Sequence, residues 1–190
     1  YSLFDSIENA LEYGVPQYRD RLILIGFRRE TFGKNLHYVI GNHKIYNMEN
    51  IKQCEWPTIN KFEIEKEKNP PNNIIEELTV EYWFRQNDVK HHLNAYDYFN
   101  TIANDKFYTI QEGDTSGKSF KRLHRWRYSP TAAYGNNEVH LHPYEARRIS
   151  VAEALAIQSL PNWFEVMPAL SLSAKFKMVC NGVPYLLARG

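Results

Sequence analysis

Cysteine is nearly absent from this chain. Only Cys54 and Cys180 occur in 190 residues, and two thiols so far apart in sequence supply neither a disulfide framework nor a cysteine zinc site. They suit a reducing, intracellular setting. Long apolar runs are missing as well, and the first residues lack the charged-then-apolar plan of a signal peptide. A cytoplasmic protein without membrane contact is therefore expected. Net charge is equally scarce. With 23 basic against 22 acidic side chains the balance is +1, so nucleic acid finds no global attraction here and any binding surface must be local. What remains is ordinary for a globular protein: 43% hydrophobic, 24% charged and 14% aromatic residues, enough to bury one large or two small cores. Tyr1 is not an initiator methionine, and Gly190 follows Pro184 by about one helical turn. Both ends are expected to be cuts in something longer.

Near the start, Asn9-Ala10-Leu11-Glu12-Tyr13-Gly14-Val15-Pro16-Gln17-Tyr18-Arg19-Asp20-Arg21 runs into the apolar stretch Leu22-Ile23-Leu24-Ile25-Gly26. Gly14 and Pro16 punctuate a turn, and the stretch that follows reads as a strand. Side chains two apart on an extended chain share a face, so Gln17, Arg19 and Arg21 can project together. Two guanidiniums and an amide on one face could grip phosphate oxygens or a base edge. The plainer reading is a surface strand whose arginines pair with Asp20 or another carboxylate.

Between residues 29 and 128 neither repeats nor clean alternation are visible. Lys61 to Lys68 is charge-dense and reads as a solvated face, and Asn69-Pro70-Pro71-Asn72-Asn73 is a strong break. Val89, Leu93, Tyr96, Phe99 and Ala103 recur at helical spacing after Asn87 and Asp88, which predicts a capped helix there with its aromatic stripe in the core. His91 and His92 are expected at the surface of that helix. Lys118, Lys121, Arg122, Arg125 and Arg127 interleave with Phe120, His124, Trp126 and Tyr128. Such a run suits a phosphate backbone with stacking positions beside it, or equally a surface strand with its aromatics turned inward. Gly113 to Lys118 is too short and wrongly spaced for a phosphate-binding P-loop. His140 and His142 can share a strand face as a metal pair would, yet no third ligand is suggested nearby, and no metal is expected.

Toward the end, Ser150 and Glu153 have capping-box spacing ahead of Ala154, Leu155, Ala156 and Ile157, and Pro161 sets a stop. A helix over 150–161 is predicted, with Ser150 and Glu153 architectural. Pro184 to Arg189 reads as the beginning of another.

Three blocks, in order, resemble those of the DNA (cytosine-5) methyltransferases. Gly14 to Arg21 is similar to the family's G-[VI]-P-Q-x-R-x-R block, and the likeness continues from Asn9 down the strand to Arg28. Arg148-Ile149-Ser150-Val151-Ala152-Glu153, with Gln158 and Pro161, looks like the R-x-[ST]-x-x-E-x4-Q-x-x-P stretch, approached through Ser129-Pro130-Thr131 and His142-Pro143. Met178-Val179-Cys180-Asn181-Gly182-Val183-Pro184 resembles the closing G-N-[AS]-V-P block, with Cys180 where glycine is usual and Tyr185 where a second proline is frequent. The resemblance implies a cytosine flipped from the duplex, attacked at C6 by a cysteine thiolate, held at N3 by a glutamate and methylated at C5 from S-adenosylmethionine. The covalent step is needed because C5 is otherwise a poor nucleophile. The family's F-x-G-x-G loop, Pro-Cys and Glu-Asn-Val blocks do not occur in this chain, and neither Cys54 nor Cys180 is promoted to nucleophile. By the resemblance, Arg21 contacts the flipped cytosine or organises the glutamate. Arg19 holds backbone phosphate, Gln17 lines the turn beside the DNA, and Asn181, Gly182 and Val183 border the cofactor site.

The expected architecture is α/β. Residues 1–28 would end a Rossmann-like methyltransferase sheet, 29–128 would form a small mixed target-recognition domain, and 129–190 would return to the catalytic domain. The DNA surface is expected at Lys118, Lys121, Arg122, Arg125 and Arg127. Expected partners are double-stranded DNA and a missing N-terminal catalytic half, in cis or in trans, without which the sheet exposes an edge and an apolar face. Alone, the chain would bind DNA weakly and transfer no methyl group. A restriction–modification role follows from the family, and a nucleoid-associated location if the source is bacterial. Two alternatives stand beside this reading: a non-catalytic, sequence-specific DNA-binding module or separately encoded recognition subunit, and an RNA-directed relative.

Overall fold

Alternation decides the first elements. In the computed structural model, which describes residues 1–66, 68–100, 105–131 and 139–190, strands β1 (Ser2–Asn9) and β2 (Asp20–Phe27) pair antiparallel, from Ser2 opposite Phe27 to Asn9 opposite Asp20. Their link is a 3-10 turn, Ala10–Tyr13, capped by the Asn9 side chain, which accepts from the Leu11 N–H. Gly14 follows at φ 85°, where any side chain would be strained and a Cβ would meet Ile45 Cδ1 at 2.8 Å. One face of this hairpin gathers Phe4, Phe27, Phe32 and Tyr38, with ring centroids 5.1–5.9 Å apart. The other presents Leu3, Ile7, Leu22 and Leu24 at 64, 71, 67 and 62% exposure.

Short helices α1 (Arg29–Phe32) and α2 (Met48–Gln53) precede a loop that carries the Asn69–Asn73 break, and α3 (Val80–Gln86) follows. The predicted helix after Asp88 is not formed; the helix lies before it. Thr79 caps α3 by accepting from the Tyr82 N–H, Asn87 closes it, and Asp88 turns the chain away at φ 45°. Residues 88–96 are successive turns. Tertiary bonds outweigh the spacing there: the Asn94 amide donates to Val166 O at 3.0 Å and accepts from Val166 N–H at 2.9 Å, pinning these turns to a distant segment. Leu93 and Tyr96, placed in the core by the pattern, are exposed, while Val89 and Ala95 are buried. Ala103 lies outside the described residues.

Helix α4 (Asp105–Thr109) leads to β3 (Phe120–Arg122), which pairs parallel with β4 (Val139–Leu141). The predicted helix over 150–161 appears as α5 (Val151–Ile157), with both arms of the capping box made between Ser150 and Glu153. Ser159 at φ 56° ends it, the Leu160 N–H returning to Leu155 O, before Pro161 is reached. Helix α5 is buried on every side and forms the main core with α3 and α6 (Leu172–Asn181), rather than with the hairpin. The last helix, α7 (Tyr185–Arg189), packs Leu186 and Leu187 on Ala10, Tyr13 and Val15, so the two ends of the chain meet.

Leu155 is 3% exposed in that core. Leu155→Ala is expected to cost about 2–5 kcal/mol and Ser150→Ala about 1 kcal/mol, read as shifts of the urea midpoint at unchanged m.

Candidate functional site

The Gly14–Arg21 block is an interior knot. Gln17 and Arg19 do share a face, but that face is turned inward, leaving them 0 and 1% exposed. Arg19 donates through Nη1 to Gln17 Oε1 at 3.4 Å and through Nη2 to the carbonyls of Cys180 and Gly182 at 2.8 and 2.9 Å. Charged hydrogen bonds of this kind contribute roughly 1.5–3 kcal/mol each. The expected phosphate ligand is thus bonded to the closing segment of its own chain. Arg21 is half-buried on β2 and donates to its neighbour's carbonyl, Asp20 O, at 2.6 Å. Asp20, the arginine partner of the plainer reading, instead accepts from Asn9 Nδ2.

The closing segment is held from two sides. Arg19 takes its carbonyls, while Gln158 O accepts from the Tyr185 N–H at 2.9 Å and Ser159 Oγ from the Leu186 N–H at 3.1 Å. Asn181, Gly182 and Val183 stay exposed on the outside. Cys180, in the usual glycine position, is the penultimate residue of α6, and a Cβ at Gly182 would meet nothing closer than 3.5 Å. The backbone approach here is made by carbonyls, not by missing side chains.

The basic–aromatic run divides. Lys118 is exposed and Lys121 and Arg127 are half-buried, but Arg122 and Arg125 are interior, against the expectation that all five line a surface. Arg122 donates to the carbonyls of Ile110, His142, Glu145 and Phe107 and lies over the Phe62 ring at 3.7 Å. Burial lowers it to about 10. Arg125 forks onto Glu112, with Nε to Oε1 at 2.7 Å and Nη2 to Oε2 at 3.0 Å, and donates to Lys66 O. Glu112 went unnoticed in the sequence because a lone glutamate in Gln111-Glu112-Gly113 carries no periodic signal. His124 sits against this pair, accepting the Trp126 N–H on Nδ1, and burial with the nearby cations lowers it to about 4 although Glu112 opposes the shift.

A similar exchange occurs in the second block. The arginine matched to it, Arg148, lies over Phe99 at 4.6 Å, whereas Arg147 grips Glu153, Nη2 to Oε1 at 2.6 Å and Nη1 to Oε2 at 3.0 Å. Burial by itself would lower Arg147, but Glu153 and Glu145 more than offset it and hold it above the ordinary range. His142 stacks on Phe84 and accepts the Tyr144 and Glu145 N–H groups, and burial pushes it far down. His140 is buried beside it in β4. Among the described residues no three His, Cys, Asp or Glu side chains are placed to hold a metal, and no helix is long and apolar enough to cross a membrane.

Among the described residues, clefts open on the surface, and two of them bear on the site. One, of about 850 Å³, is lined by Lys66, Lys68, Arg85 and Lys90 among acids that include their own partners, such as Glu81 for Arg85. The other, of about 410 Å³, lies between Tyr18 and the segment from His124 to Thr131. Its two walls are locked together: Tyr18 N–H donates to Ser129 O, Ser129 N–H to Pro16 O, and Thr131 Oγ1 to Tyr18 O.

The mixed α/β arrangement has a counterpart among solved structures. A crystal structure described as a DNA modification methyltransferase encoded within an E. coli prophage superposes with a TM-score of 0.52 at 18% identity, covering 99% of this chain and 58% of that one. The family model for C-5 cytosine-specific DNA methylases matches residues 1–190, and the chain belongs to that family. It is 50% identical to the type II methyltransferase M.NmeDI of Neisseria meningitidis serogroup C over 191 aligned residues, all of this chain and 44% of that relative. The chain thus spans less than half of the relative's length.

Two outcomes test the interior reading of these charges. Arg125→Ala removes the guanidinium fork from buried Glu112, leaving Lys68 at 3.6 Å as its remaining ion-pair partner among the described residues, and is expected to cost about 3–5 kcal/mol, whereas Lys118→Ala stays within about 0.5 kcal/mol, both by urea denaturation. Because His124 is lowered from 6.5 to about 4, the unfolded chain binds protons in that window that the folded chain does not. Stability is therefore expected to fall as pH drops through it. His124→Asn should flatten that slope without abolishing it, since His142 acts in the same sense.

Proposed function

We propose that this chain is the recognition-and-closing half of a DNA cytosine-5 methyltransferase, and that the nucleophile comes from a catalytic half packed on the β1–β2 hairpin. The observation that carries this reading is the hairpin itself. Four large aliphatic side chains, Leu3 and Ile7 of β1 and Leu22 and Leu24 of β2, form one open face, and β2 also carries Arg21. A two-stranded ribbon is marginal alone, and an apolar face of this kind is an interface in waiting. Residues 1–28 are then the last strands of a Rossmann-like sheet, 29–128 the target-recognition domain and 129–190 the return to the catalytic domain.

In this reading Arg21, half-buried and donating to the neighbouring Asp20 carbonyl, turns to the flipped cytosine or to the glutamate that holds it. Gln17 and Arg19 act from behind, by setting the turn and the closing segment. S-adenosylmethionine supplies the methyl group when bound. Asn181 and Val183, exposed on the outer side of a turn whose carbonyls are tied inward, suit the rim of a nucleoside site by offering an amide beside a small apolar side chain. Cys54 donates to Asn50 O from the end of α2 and Cys180 is set within α6. Duplex DNA and the catalytic half, in cis or in trans, are the partners, in a restriction–modification setting inside the cell.

The test is a methylation assay with labelled S-adenosylmethionine and duplex DNA, run beside a binding assay. The chain alone is expected to bind duplex weakly and salt-dependently and to incorporate no label. Methyl transfer by the isolated chain, or no DNA binding at low salt, overturns the proposal.

A further inference from the structure

We propose that the cleft between Tyr18 and Arg127 is a subsite for a single nucleotide of the DNA strand, its phosphate on Arg127 and its base against the tyrosine rings; this rests on the DNA-recognition reading above. Three features point there. The first is a consequence of alternation. With Gln17 and Arg19 turned into the interior, the residue between them must point out, and Tyr18 is 43% exposed at the cleft's edge. The second is shape. The cleft holds about 410 Å³ between Tyr18, His124, Arg127, Tyr128, Pro130 and Thr131, within the range of pockets that enclose small ligands. Its walls are fixed relative to each other by the three hydrogen bonds around Ser129. Tyr18 and Tyr128 stand with ring centroids 6.4 Å apart and planes inclined by 34°, so two π-faces border the same space.

The third is charge. Other interior cations are taken up within the chain, Arg125 by Glu112, Arg147 by Glu145 and Glu153 and Lys175 by Asp97, or, as Arg19 and Arg122 are, by backbone carbonyls. Arg127 lies over the Tyr128 ring at 5.2 Å and has no carboxylate partner among the described residues. A cation without an internal counterion, at the mouth of a cleft walled by aromatic rings, matches a phosphodiester carrying a base. It matches a neutral or purely apolar ligand poorly. The larger cleft offers no such match, because its cations are interspersed with carboxylates.

The experiment is fluorescence anisotropy of the 190-residue chain with a labelled duplex and with its single strand, across roughly 50–200 mM salt. Arg127→Gln is expected to weaken binding and reduce the salt slope by about one. Tyr18→Ala is expected to weaken binding roughly tenfold with the slope unchanged, and Tyr18→Phe to keep it. Lys52→Gln, a change to an exposed lysine on α2, should alter neither. Wild-type binding by both Arg127→Gln and Tyr18→Ala would overturn the subsite while leaving the DNA-recognition reading intact. Displacement of the oligonucleotide by S-adenosylmethionine, lost in Tyr18→Ala, would reassign the cleft to the cofactor's adenine and equally overturn it. A wild-type chain that binds neither oligonucleotide would remove the reading beneath it as well.

Discussion

The two ends of this chain are joined through one buried guanidinium. Arg19 leaves the turn after Gly14 and reaches the carbonyls of Cys180 and Gly182, at the end of α6. A helix C-terminus presents unsatisfied carbonyls and partial negative charge, and a planar cation with five donors is well suited to both. Burying that cation is tolerable only because the acceptors are in place. The closing segment, the packing of α7 on the 3-10 turn and the inward set of Gln17 therefore depend on one another. Tyr18 is driven outward by the same constraint, and with it the wall of a cleft.

Arginine plays this internal part repeatedly. Arg122 ties α4, the segment after β4 and the strand it sits on by donating to four carbonyls, and it makes no ion pair among the described residues. Arg125 and Arg147 do so through carboxylates that are themselves buried, Glu112 and Glu153. An irregular middle segment with short helices and a three-residue parallel ribbon has few regular hydrogen bonds to stabilise it. Side-chain donors that can each satisfy several loop carbonyls take over that work. The consequence for function is that a count of basic residues overstates the surface available to DNA. Lys118 and Arg127 are outward positions of the run; Arg122 and Arg125 hold the scaffold behind them.

The chain belongs to the cytosine-5 methylase family and spans less than half of its relative's length. One hairpin face, with Leu3, Ile7, Leu22 and Leu24, is apolar and uncovered. That face is built by both strands, Leu3 and Ile7 from β1 and Leu22 and Leu24 from β2.

Much of this was readable in the residues. Gly14 announced the turn because only a glycine rests easily at φ 85° against Ile45, and the apolar run from Leu22 to Ile25 announced a strand. Ser150 and Glu153 marked a helix start through a local pair of hydrogen bonds that needs no tertiary partner. The blocks themselves marked the family. Each of these signals lies within a few neighbouring residues. What spacing could not decide was which way a shared face points, or which of two adjacent arginines is used. Gln17 and Arg19 share a face as their spacing requires, but its inward direction is set by Cys180 and Gly182, more than a hundred and fifty residues away. The apolar spacing after Asp88 was genuine, yet Asn94 found Val166, and those bonds held the segment as turns. Local geometry and family were thus determined by the sequence alone; burial, pairing and the choice of outward-facing residues were decided only by contacts the fold creates.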